Sequence, residues 1–443
     1  MIAKINLQQS LLRSSSEGSD FMDKIKRIVC VILALCFTVA FTSCGDKTPQ
    51  DVETTTQNTE NNAKEEITVF SLNKEYVSHY EWYEDYPEML VRSEYSTVVL
   101  DESFATEYPA LAKTLSETSI MRKKSMEEEK DNLLFDATKE FMNDGEYFST
   151  YISTLDVQVR RADRIAVSIL EVYYSDYGRS FNGLNYDTES GNLLALSDVI
   201  TDTSEISEIV ENIIMNRIGE EEPFGETAVA DYFVNTAQED INWTLDYNGV
   251  TFYFNAGAIA PTNFGVQTAT VTFAEYPELF NEKYTVVPDA YIISLPVSSS
   301  FYTDVTGNNR LEEIIVMGDC DTESRYYNTL SVYYEGSFHN EEWSAYELDP
   351  YYVKTADGNS YIYLFSLNSE DENRETVLSV FKLENGEVEF VDTSEIGMLC
   401  KGNNIFALPT DPNNLLLDAY DGATDSVYSA DENGVTRKME SEF

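Results

Sequence analysis

Trp243-Thr244-Leu245-Asp246-Tyr247-Asn248-Gly249-Val250-Thr251-Phe252-Tyr253-Phe254 is the stretch that indicates the fold most clearly. Apolar and polar residues alternate in both arms, which is the period-two pattern of a half-buried strand. The Asn-Gly pair between the arms is a strong signal for a β-hairpin. Residues 267–273 alternate in the same way after a short loop. The stretch therefore predicts an antiparallel sheet.

Helical patterns precede this hairpin. Asp202 and Glu205 resemble a capping box, and apolar residues follow at helical spacing until Gly219. Residues 228–236 predict a second, shorter helix. Upstream of both, residues 182–200 read as a strand, a turn and a short second strand.

The N-terminal part begins with short strands, starting at residue 67 and continuing over 89–91 and 96–100. A proline at position 109, followed by leucines, predicts a helix that continues to about Met142. Alternating residues then predict strands over 154–159 and from 165 onward.

The C-terminal part contains a weak internal repeat. Residues 314–317 resemble 362–365, and residues 330–333 resemble 378–381, both at an offset of 48. A period of this length is typical of a four-stranded propeller blade or a repeated β-meander. Two copies and a degenerate third at residues 403–406 would not close a ring.

These patterns together predict an α+β fold. Antiparallel sheets with packed helices would occupy residues 67–285, in two sub-units of about 67–145 and 146–285. A β-rich domain with weak propeller-blade-like repeats would follow over residues 290–443.

The N-terminal 66 residues indicate where the protein works. A charged Lys24-Ile25-Lys26-Arg27 precedes an apolar run over 28–41 and then Thr42-Ser43-Cys44. This is a signal-peptide pattern, and its end resembles the lipobox of bacterial lipoproteins, in which the cysteine carries lipid. We expect residues 1–43 to be an upstream segment and signal peptide, residues 44–66 a flexible tether, and Cys44 a lipid anchor on the extracytoplasmic face of the cell membrane. The alternative is an uncleaved transmembrane helix, although the run is shorter than the roughly 20 residues of a comfortable span. Translation could start at Met22, just before this charged segment, or at Met1.

The charge is strongly acidic. The chain has 29 Lys+Arg and 79 Asp+Glu, a formal charge of −50. Without residues 1–43, 24 basic and 76 acidic residues remain, a formal charge of −52. Nucleic acid is thereby excluded as a partner, because phosphate would be repelled. A cationic protein would be attracted at long range. The alternative is that the charge serves only solubility.

Cysteines and carboxylates offer few candidate sites. After processing, only Cys320 and Cys400 remain beside Cys44, and they could form a disulfide. The loop with Asp304, Asn308 and Glu312 resembles an extracellular calcium loop, and the alternative is a polar β-turn. Asp319, Asp321 and Glu323 alternate around Cys320, and paired carboxylates can serve glycoside hydrolysis. Such a cluster is expected by chance in so acidic a chain.

No catalytic constellation is recognisable in the sequence. His79 and His339 are the only histidines, and no Ser-His-Asp, Cys-His or glycine-rich phosphate motif occurs. We expect a protein that is not an enzyme and that needs no cofactor. The aromatic cluster Tyr80, Trp82, Tyr83 and Tyr86 could stack on cell-wall sugars, or could simply be core and edge packing.

Residues 182–200 and 243–280 together resemble the extracellular domain of unknown function that is found in RsiV-like anti-sigma factors and in certain secreted polysaccharide-deacetylase proteins. The similar features are Tyr186-Asp187 to Gly191, residues 194–199, the Asn-Gly hairpin, Ile259-Ala260-Pro261 and Tyr276-Pro277-Glu278-Leu279. The preceding unit, with Tyr108-Pro109-Ala110-Leu111, resembles the partner domain usually found ahead of it, so the likeness covers roughly 67–285.

The resemblance implies a function, because that family includes surface receptors for lysozyme, a cationic protein. This chain departs from the anti-sigma pattern, since a lipobox stands where a sigma-binding segment would be. We therefore expect a non-catalytic lipoprotein that binds or senses a cationic protein such as lysozyme. The alternative is peptidoglycan or glycan binding through exposed aromatic residues.

Overall fold

The structure is a computed structural model that describes residues 68–83, 88–175, 178–218, 228–308, 310–321, 326–367, 376–398, 405–419, 425–431 and 434–437. The strands in these residues are β1 (Leu72–Trp82), β2 (Met89–Leu100), β3 (Tyr151–Ala162), β4 (Ala166–Ser175), β5 (Gly178–Asp187), β6 (Trp243–Leu245), β7 (Gly249–Phe254), β8 (Gln267–Thr272), β9 (Tyr291–Ser294), β10 (Phe301–Thr303), β11 (Glu312–Asp321), β12 (Tyr326–Tyr334), β13 (Ser337–Lys354), β14 (Ser360–Leu367), β15 (Thr376–Glu384), β16 (Glu387–Met398), β17 (Ile405–Ala407), β18 (Leu415–Ala419), β19 (Asp425–Asp431) and β20 (Gly434–Arg437).

The α-helices of the same residues are α1 (Glu102–Glu107), α2 (Pro109–Asp144), α3 (Leu196–Val199), α4 (Ile206–Ile218), α5 (Ala228–Asn235) and α6 (Glu282–Thr285). The predicted α+β class is confirmed, because antiparallel and mixed sheets combine with these helices and lead into a β-rich C-terminal part. None of the described helices combines the length and the apolar character needed to cross a bilayer.

The first sheet has six strands in the order β17-β1-β2-β3-β4-β5. Its β2 and β3 are parallel, and helices α1 and α2 make the crossover between them. The other pairs of this sheet are antiparallel. The two predicted strands over 89–91 and 96–100 form one continuous strand, because the polar residues between them continue the ladder with β1.

Helix α2 covers one face of this sheet along 36 residues. Proline at its first position removes no intrahelical hydrogen bond, which explains the predicted start. Leu115, Met126 and Ala137 lie 11 residues apart, or three turns, and all are buried. Full burial of a leucine or methionine side chain is worth roughly 1.5–3 kcal/mol. The regular spacing therefore holds the helix along the sheet.

The predicted hairpin is confirmed as β6 and β7, and β8 completes a three-stranded sheet. Phe252 and Phe254 pack edge-on against the α5 rings Tyr232 and Phe233. Gly249 has no positive φ, so the turn does not require its flexibility. A Cβ there would lie 2.2 Å from the Val271 carbonyl oxygen, so the glycine is required by the close approach of β8.

One prediction near this hairpin is wrong. Residues 193–200 were expected to hold a short strand, but the structure has helix α3 there, flanked by isolated bridges at Leu193 and Ile200. Asp198 accepts a hydrogen bond from the Ala195 backbone N–H at 2.8 Å, which caps the turn. Both Leu196 and Val199 are buried, so a single helical turn places them on the same side. The predicted helices from 206 and from 228 are confirmed.

The remaining strands form an open antiparallel sheet in the order β10-β11-β12-β13-β14-β15-β16-β18-β19-β20, with β9 beside β13. The repeat at an offset of 48 corresponds to the pairs β11–β12 and β14–β15. No closed propeller occurs among the strands that the structure describes. Of the weak third copy at 403–406, the described residues Ile405 and Phe406 lie in β17, which pairs with β1 of the first sheet. The domain boundaries between 285 and 290 stay a prediction.

Candidate functional site

The most exposed aromatic surface of the N-terminal sheet lies on β1. Glu75, His79 and Glu81 point towards α2, where they contact Lys123, Glu127 and Lys130. Because alternate residues of a strand point to opposite faces, Tyr76, Tyr80 and Trp82 lie on the other face. Tyr80 is 47% exposed and Trp82 is 54% exposed. We call Tyr76, Tyr80 and Trp82 the β1 aromatic platform.

The hydroxyl of Tyr80 fixes its ring in this platform. It donates a hydrogen bond to Glu94 Oε1 at 2.7 Å, and it also interacts with the hydroxyls of Tyr76 and Ser78. Burial, and then the hydrogen bond to Glu94, raise the pKa of Tyr80. Glu94 is only 5% exposed. The tyrosine ring therefore covers a buried carboxylate, and its hydroxyl stays in the protonated, donating form.

The other members of the aromatic run have different environments. The ring of Tyr83 packs against Phe141 of α2 at 4.8 Å between centroids, in a small core under the helix. Tyr86 lies outside the described residues. The predicted cluster is therefore divided, with Tyr80 and Trp82 facing solvent and Tyr83 contributing to packing.

Among the residues that the structure describes, neither histidine joins a group that could act as a nucleophile and base. His79 Nε2 lies 2.8 Å from Glu127 Oε1. His339 Nε2 lies 2.9 Å from Glu341 Oε1, and its ring stacks on Phe390. Each histidine therefore has a carboxylate neighbour on the surface and a packing role beside it.

The predicted calcium loop brings Asp304, Asn308 and Glu312 together, but through its own hydrogen bonds. Glu312 Oε2 accepts from the Val305 N–H at 2.7 Å, and Oε1 accepts from the Thr306 hydroxyl at 2.8 Å. Asp304 Oδ1 accepts from the Asn308 N–H at 3.0 Å. The loop donors thus use the carboxylate oxygens that calcium would need.

A lysine ammonium supplies the positive charge near this loop. Lys354 Nζ donates to the Val305 carbonyl oxygen at 2.8 Å. Burial lowers the pKa of Lys354, and Asp304 and Glu312 oppose that shift. Within the described residues, no group of three or more His, Cys, Asp or Glu side chains is placed to hold a metal ion. Calcium binding here stays a prediction that the geometry does not favour.

The cysteine predictions fall largely on residues that the structure does not describe. Cys320 lies on β11, with its Sγ 3.4 Å from the Asp321 carbonyl oxygen. Cys400, Cys44 and Glu323 lie outside the described residues. The disulfide and the lipid anchor therefore stay predictions.

A buried ionic network that the sequence reading missed joins three parts of the chain. Arg160 of β3 donates to both carboxylate oxygens of Asp246, at 3.0 and 2.8 Å, and to the Ser294 carbonyl oxygen at 2.7 Å. Thr244 and Thr251 donate to the same carboxylate. Burial lowers the pKa of Arg160, but Asp246 outweighs it and the net shift is upward.

Arg161 makes a second connection. It donates to Asp163 Oδ2 at 2.9 Å and to the carbonyl oxygens of Tyr284 and Val286, both at 2.8 Å. Its guanidinium lies 5.4 Å from the centroid of the Tyr247 ring. Two adjacent arginines near the end of β3, where the alternation of apolar and polar residues stops, were the signal for this junction. It ties the first sheet to the hairpin and to the segment that leads into the C-terminal sheet.

The comparisons with known proteins concern the middle of the chain. A family model described as "Protein of unknown function (DUF3298)" matches residues 197–274, from α3 to β8. No curated protein matches the sequence.

Two solved structures are similar over about half of this chain. One is a member of the DUF3298 family from Bacteroides fragilis NCTC 9343, with 14% identity, a TM-score of 0.34, and coverage of 48% of this chain and 96% of that one. The other is a DUF3298 family protein from Pseudomonas aeruginosa PAO1, with 13% identity, a TM-score of 0.31, and coverage of 49% and 97%. Neither likeness is close enough to carry a statement about function. The expected domain of unknown function is nevertheless confirmed in part: this chain contains a DUF3298 domain at residues 197–274.

Proposed function

We propose that this protein is a non-catalytic binding module of the RsiV-like type, held by a lipid on Cys44 at the extracytoplasmic face of the membrane, and that it captures a cationic protein such as lysozyme. The observation that carries the proposal is that the basic side chains named below already form ion pairs with acidic side chains of the same chain. Of the described lysines and arginines, at least eleven form ion pairs within the chain: Lys74, Lys113, Arg122, Lys123, Lys124, Lys130, Arg160, Arg161, Lys283, Arg310 and Lys382.

Internal pairing of the cations leaves the carboxylates in excess at the surface. Lys74 illustrates this, because its ammonium lies 3.6 Å from Asp156 and 3.8 Å from Asp349. Burial lowers the pKa of Lys74, but the two carboxylates raise it by more, so the net shift is upward. The ammonium therefore keeps its charge, which these carboxylates neutralise locally. A formal charge of −50 must therefore be expressed largely through exposed acids.

One exposed acidic face lies on the β15–β16 hairpin. Glu384 and Glu387 are direct partners in the ladder and both are exposed. Like charges placed directly opposite each other destabilise a sheet. Glu389 and Asp392 are also exposed on β16, and Lys382 is already paired with Glu384 at 2.9 Å. A cationic partner would relieve this repulsion.

A binding assay with the compact fragment Glu66–Phe443 tests the proposal. The immobilised fragment is exposed to lysozyme at about 0.01 M and about 1 M ionic strength, where the Debye length falls from about 30 Å to about 3 Å. We expect binding at low salt and a steep loss at high salt. Acetylated lysozyme, which has lost its lysine charges but keeps its arginine charges, is the partner control and should bind more weakly. Absence of binding at low salt would contradict the proposal.

A matched pair of variants tests where the partner binds. The double substitution Glu387→Gln and Glu389→Gln removes two carboxylates from the β15–β16 hairpin. The control, Glu117→Gln with Glu128→Gln, changes the net charge equally on α2, where both acids pair with lysines. We expect the first variant to weaken binding more than the control does. Glu387 and Glu389 are exposed in an excess of acidic residues, whereas a lysine already neutralises each acid of the control.

The lipid anchor is tested separately in the intact cell. We expect metabolic labelling with palmitate to mark the wild-type chain, and Cys44→Ala to abolish the label and release the protein from the membrane fraction. An unlabelled wild-type chain that remains in the membrane would favour the uncleaved transmembrane helix.

A further inference from the structure

We propose that the β1 aromatic platform is a saccharide-binding site that takes a neutral pyranose glycan of the cell wall. The site goes beyond capture of a cationic protein, because it depends on stacking and hydrogen bonding and makes no use of the net charge. It occupies β1 and its ladder partner β2 and shares no residue with the β15–β16 acidic face.

The Tyr80 ring is held in an orientation that leaves one of its faces open to solvent. Its hydroxyl reaches Glu94, which lies opposite Ser78 in the ladder, and it interacts with Ser78 and Tyr76, two and four residues back along β1. The ring must therefore lean back along the strand, across Ser78. Such a ring presents a face to solvent, in agreement with its exposed fraction of 47%.

Trp82 extends this surface. It is two residues further along β1 on the same face, and it is the most exposed residue of the platform at 54%. Large aromatic side chains usually bury most of their surface, and Tyr83 in the same run does pack into a core. Two exposed rings thus lie on one strand face, and the C–H faces of sugars stack on exposed aromatic rings.

Polar groups border the platform on β2. Arg92 lies directly opposite Tyr80 in the ladder, and Glu94 lies two residues further on. Binding sites of this kind combine an apolar surface with a few polar groups that fix orientation. The guanidinium of Arg92 suits the hydroxyls and acetamido groups of sugars, since it donates hydrogen bonds, whereas Glu94 is buried and holds the Tyr80 hydroxyl.

The charges of the chain distinguish between the ligands that could stack on these rings. Nucleobases and acidic polymers would bring phosphate or carboxylate groups to a chain with a formal charge of −50. A cationic side chain would meet Arg92 at the edge of the platform. A neutral sugar meets neither penalty, so it is the occupant that this surface favours.

Calorimetry with the uncharged tetramer of β-1,4-linked N-acetylglucosamine, on the Glu66–Phe443 fragment, tests the proposal. We expect measurable binding with the same affinity at low and high salt. Trp82→Ala and Tyr80→Ala should each weaken binding about tenfold or more, because each removes a stacking ring. Tyr80→Phe keeps the ring but loses its anchor, and should weaken binding less.

Tyr147→Ala is the matched control, because Tyr147 is 77% exposed and lies outside the platform. Its affinity should equal that of the wild type. Thermal melting of every variant establishes that the fold is intact, and Trp82→Ala carries the test if Tyr80→Ala fails to fold. The proposal is overturned if the wild type does not bind the tetramer, if Trp82→Ala binds as tightly as the wild type, or if an arginine-rich peptide binds the platform in place of the sugar. Loss of lysozyme capture alone would leave it standing.

Discussion

One face of the first sheet has two regions that use similar residues differently. In the covered region, Arg160 lies beneath the β6–β7 hairpin and the 294–301 segment, and it is 1% exposed. In the open region, Tyr80 and Trp82 face solvent on β1. Both regions combine aromatic rings, an arginine and a carboxylate. The two regions differ in that the β6–β7 hairpin covers the first and leaves the second open to solvent.

Burial determines what such groups contribute. In the covered region Nε, Nη1 and Nη2 of Arg160 each donate to an acceptor, so the network specifies how the hairpin docks on the sheet. In the open region the rings retain free faces, so they contribute little to stability and are available for a ligand. We therefore expect substitutions in the two regions to affect different measurements.

The largest stability effect is expected for Asp246→Ala. This change leaves Arg160 buried without its carboxylate, and breaking a buried pair costs about 3–5 kcal/mol. Urea unfolding of the Glu66–Phe443 fragment measures the loss. The control is Asp240→Ala, which removes an exposed carboxylate nearby in sequence and should stay within about 0.5 kcal/mol of the wild type.

The double variant Arg160→Met with Asp246→Leu sharpens the same point. It removes both charges and should recover much of the stability lost in Asp246→Ala, because buried pairs can often be replaced by apolar residues at little cost. Additive losses in the double variant would contradict the view that the cost comes from the unpaired charge.

An intermediate loss is expected for Glu171→Ala, under α2 on the opposite face of the sheet. Glu171 accepts from Arg122 Nε at 2.7 Å and from Asn182 Nδ2 at 2.7 Å. Hydrogen bonds to charged groups contribute about 1.5–3 kcal/mol, and the partial exposure of Arg122 favours the lower end. Urea unfolding should rank this variant between Asp246→Ala and substitutions of the open region. A loss equal to that of Asp246→Ala would contradict the ranking by burial.

A smaller effect is expected from pH on sugar binding. Burial and the hydrogen bond to Glu94 raise the pKa of Tyr80 above the ordinary 10.0, so the anchoring hydroxyl stays protonated at that pH. Any stability that this shift contributes is present below the ordinary pKa and is lost as pH rises through the folded one. Affinity for the sugar tetramer should stay constant up to about pH 10 and then fall. Tyr80→Phe should remove the fall, and a decline at neutral pH would contradict this role.

The smallest effect on stability is expected for Trp82→Ala, within about 0.5 kcal/mol, because the side chain is 54% exposed. The same variant should weaken sugar binding about tenfold or more. A large loss of stability with unchanged binding would assign Trp82 to packing and remove the distinction between the two regions.

Local patterns predicted much of the fold. The hairpin at 243–254, the start of α2 at Pro109 and the helix from 206 follow from periodicity and from the proline, which act over a few positions. The expected capping box did not supply that signal, since Asp202 accepts from the Ser204 N–H and hydroxyl and the helix begins at Ile206. The helix α3 was missed because the apolar run over 193–200 is too short for its periodicity to distinguish a buried strand from a single helical turn, and packing resolves this. The return of β17 to β1 was also missed, since no local signal encodes a pairing across more than 300 residues.

The candidate site was predictable only in part. Tyr80 and Trp82 were recognisable as a possible stacking pair, but their exposure and the fate of Tyr83 depend on α2. Glu94 was missed, because an acidic residue in so acidic a chain carries no signal until its ladder partner is known. Arg160 and Asp246 were separated by too much sequence for their pairing to be predicted.

The most direct test of the proposed function is the affinity of the Glu66–Phe443 fragment for lysozyme as a function of salt. We predict that the logarithm of the binding constant falls steeply and linearly with the logarithm of the salt concentration, because exposed carboxylates attract the cationic partner at long range. A binding constant that does not change with salt, or no binding at the lowest salt, would contradict the account.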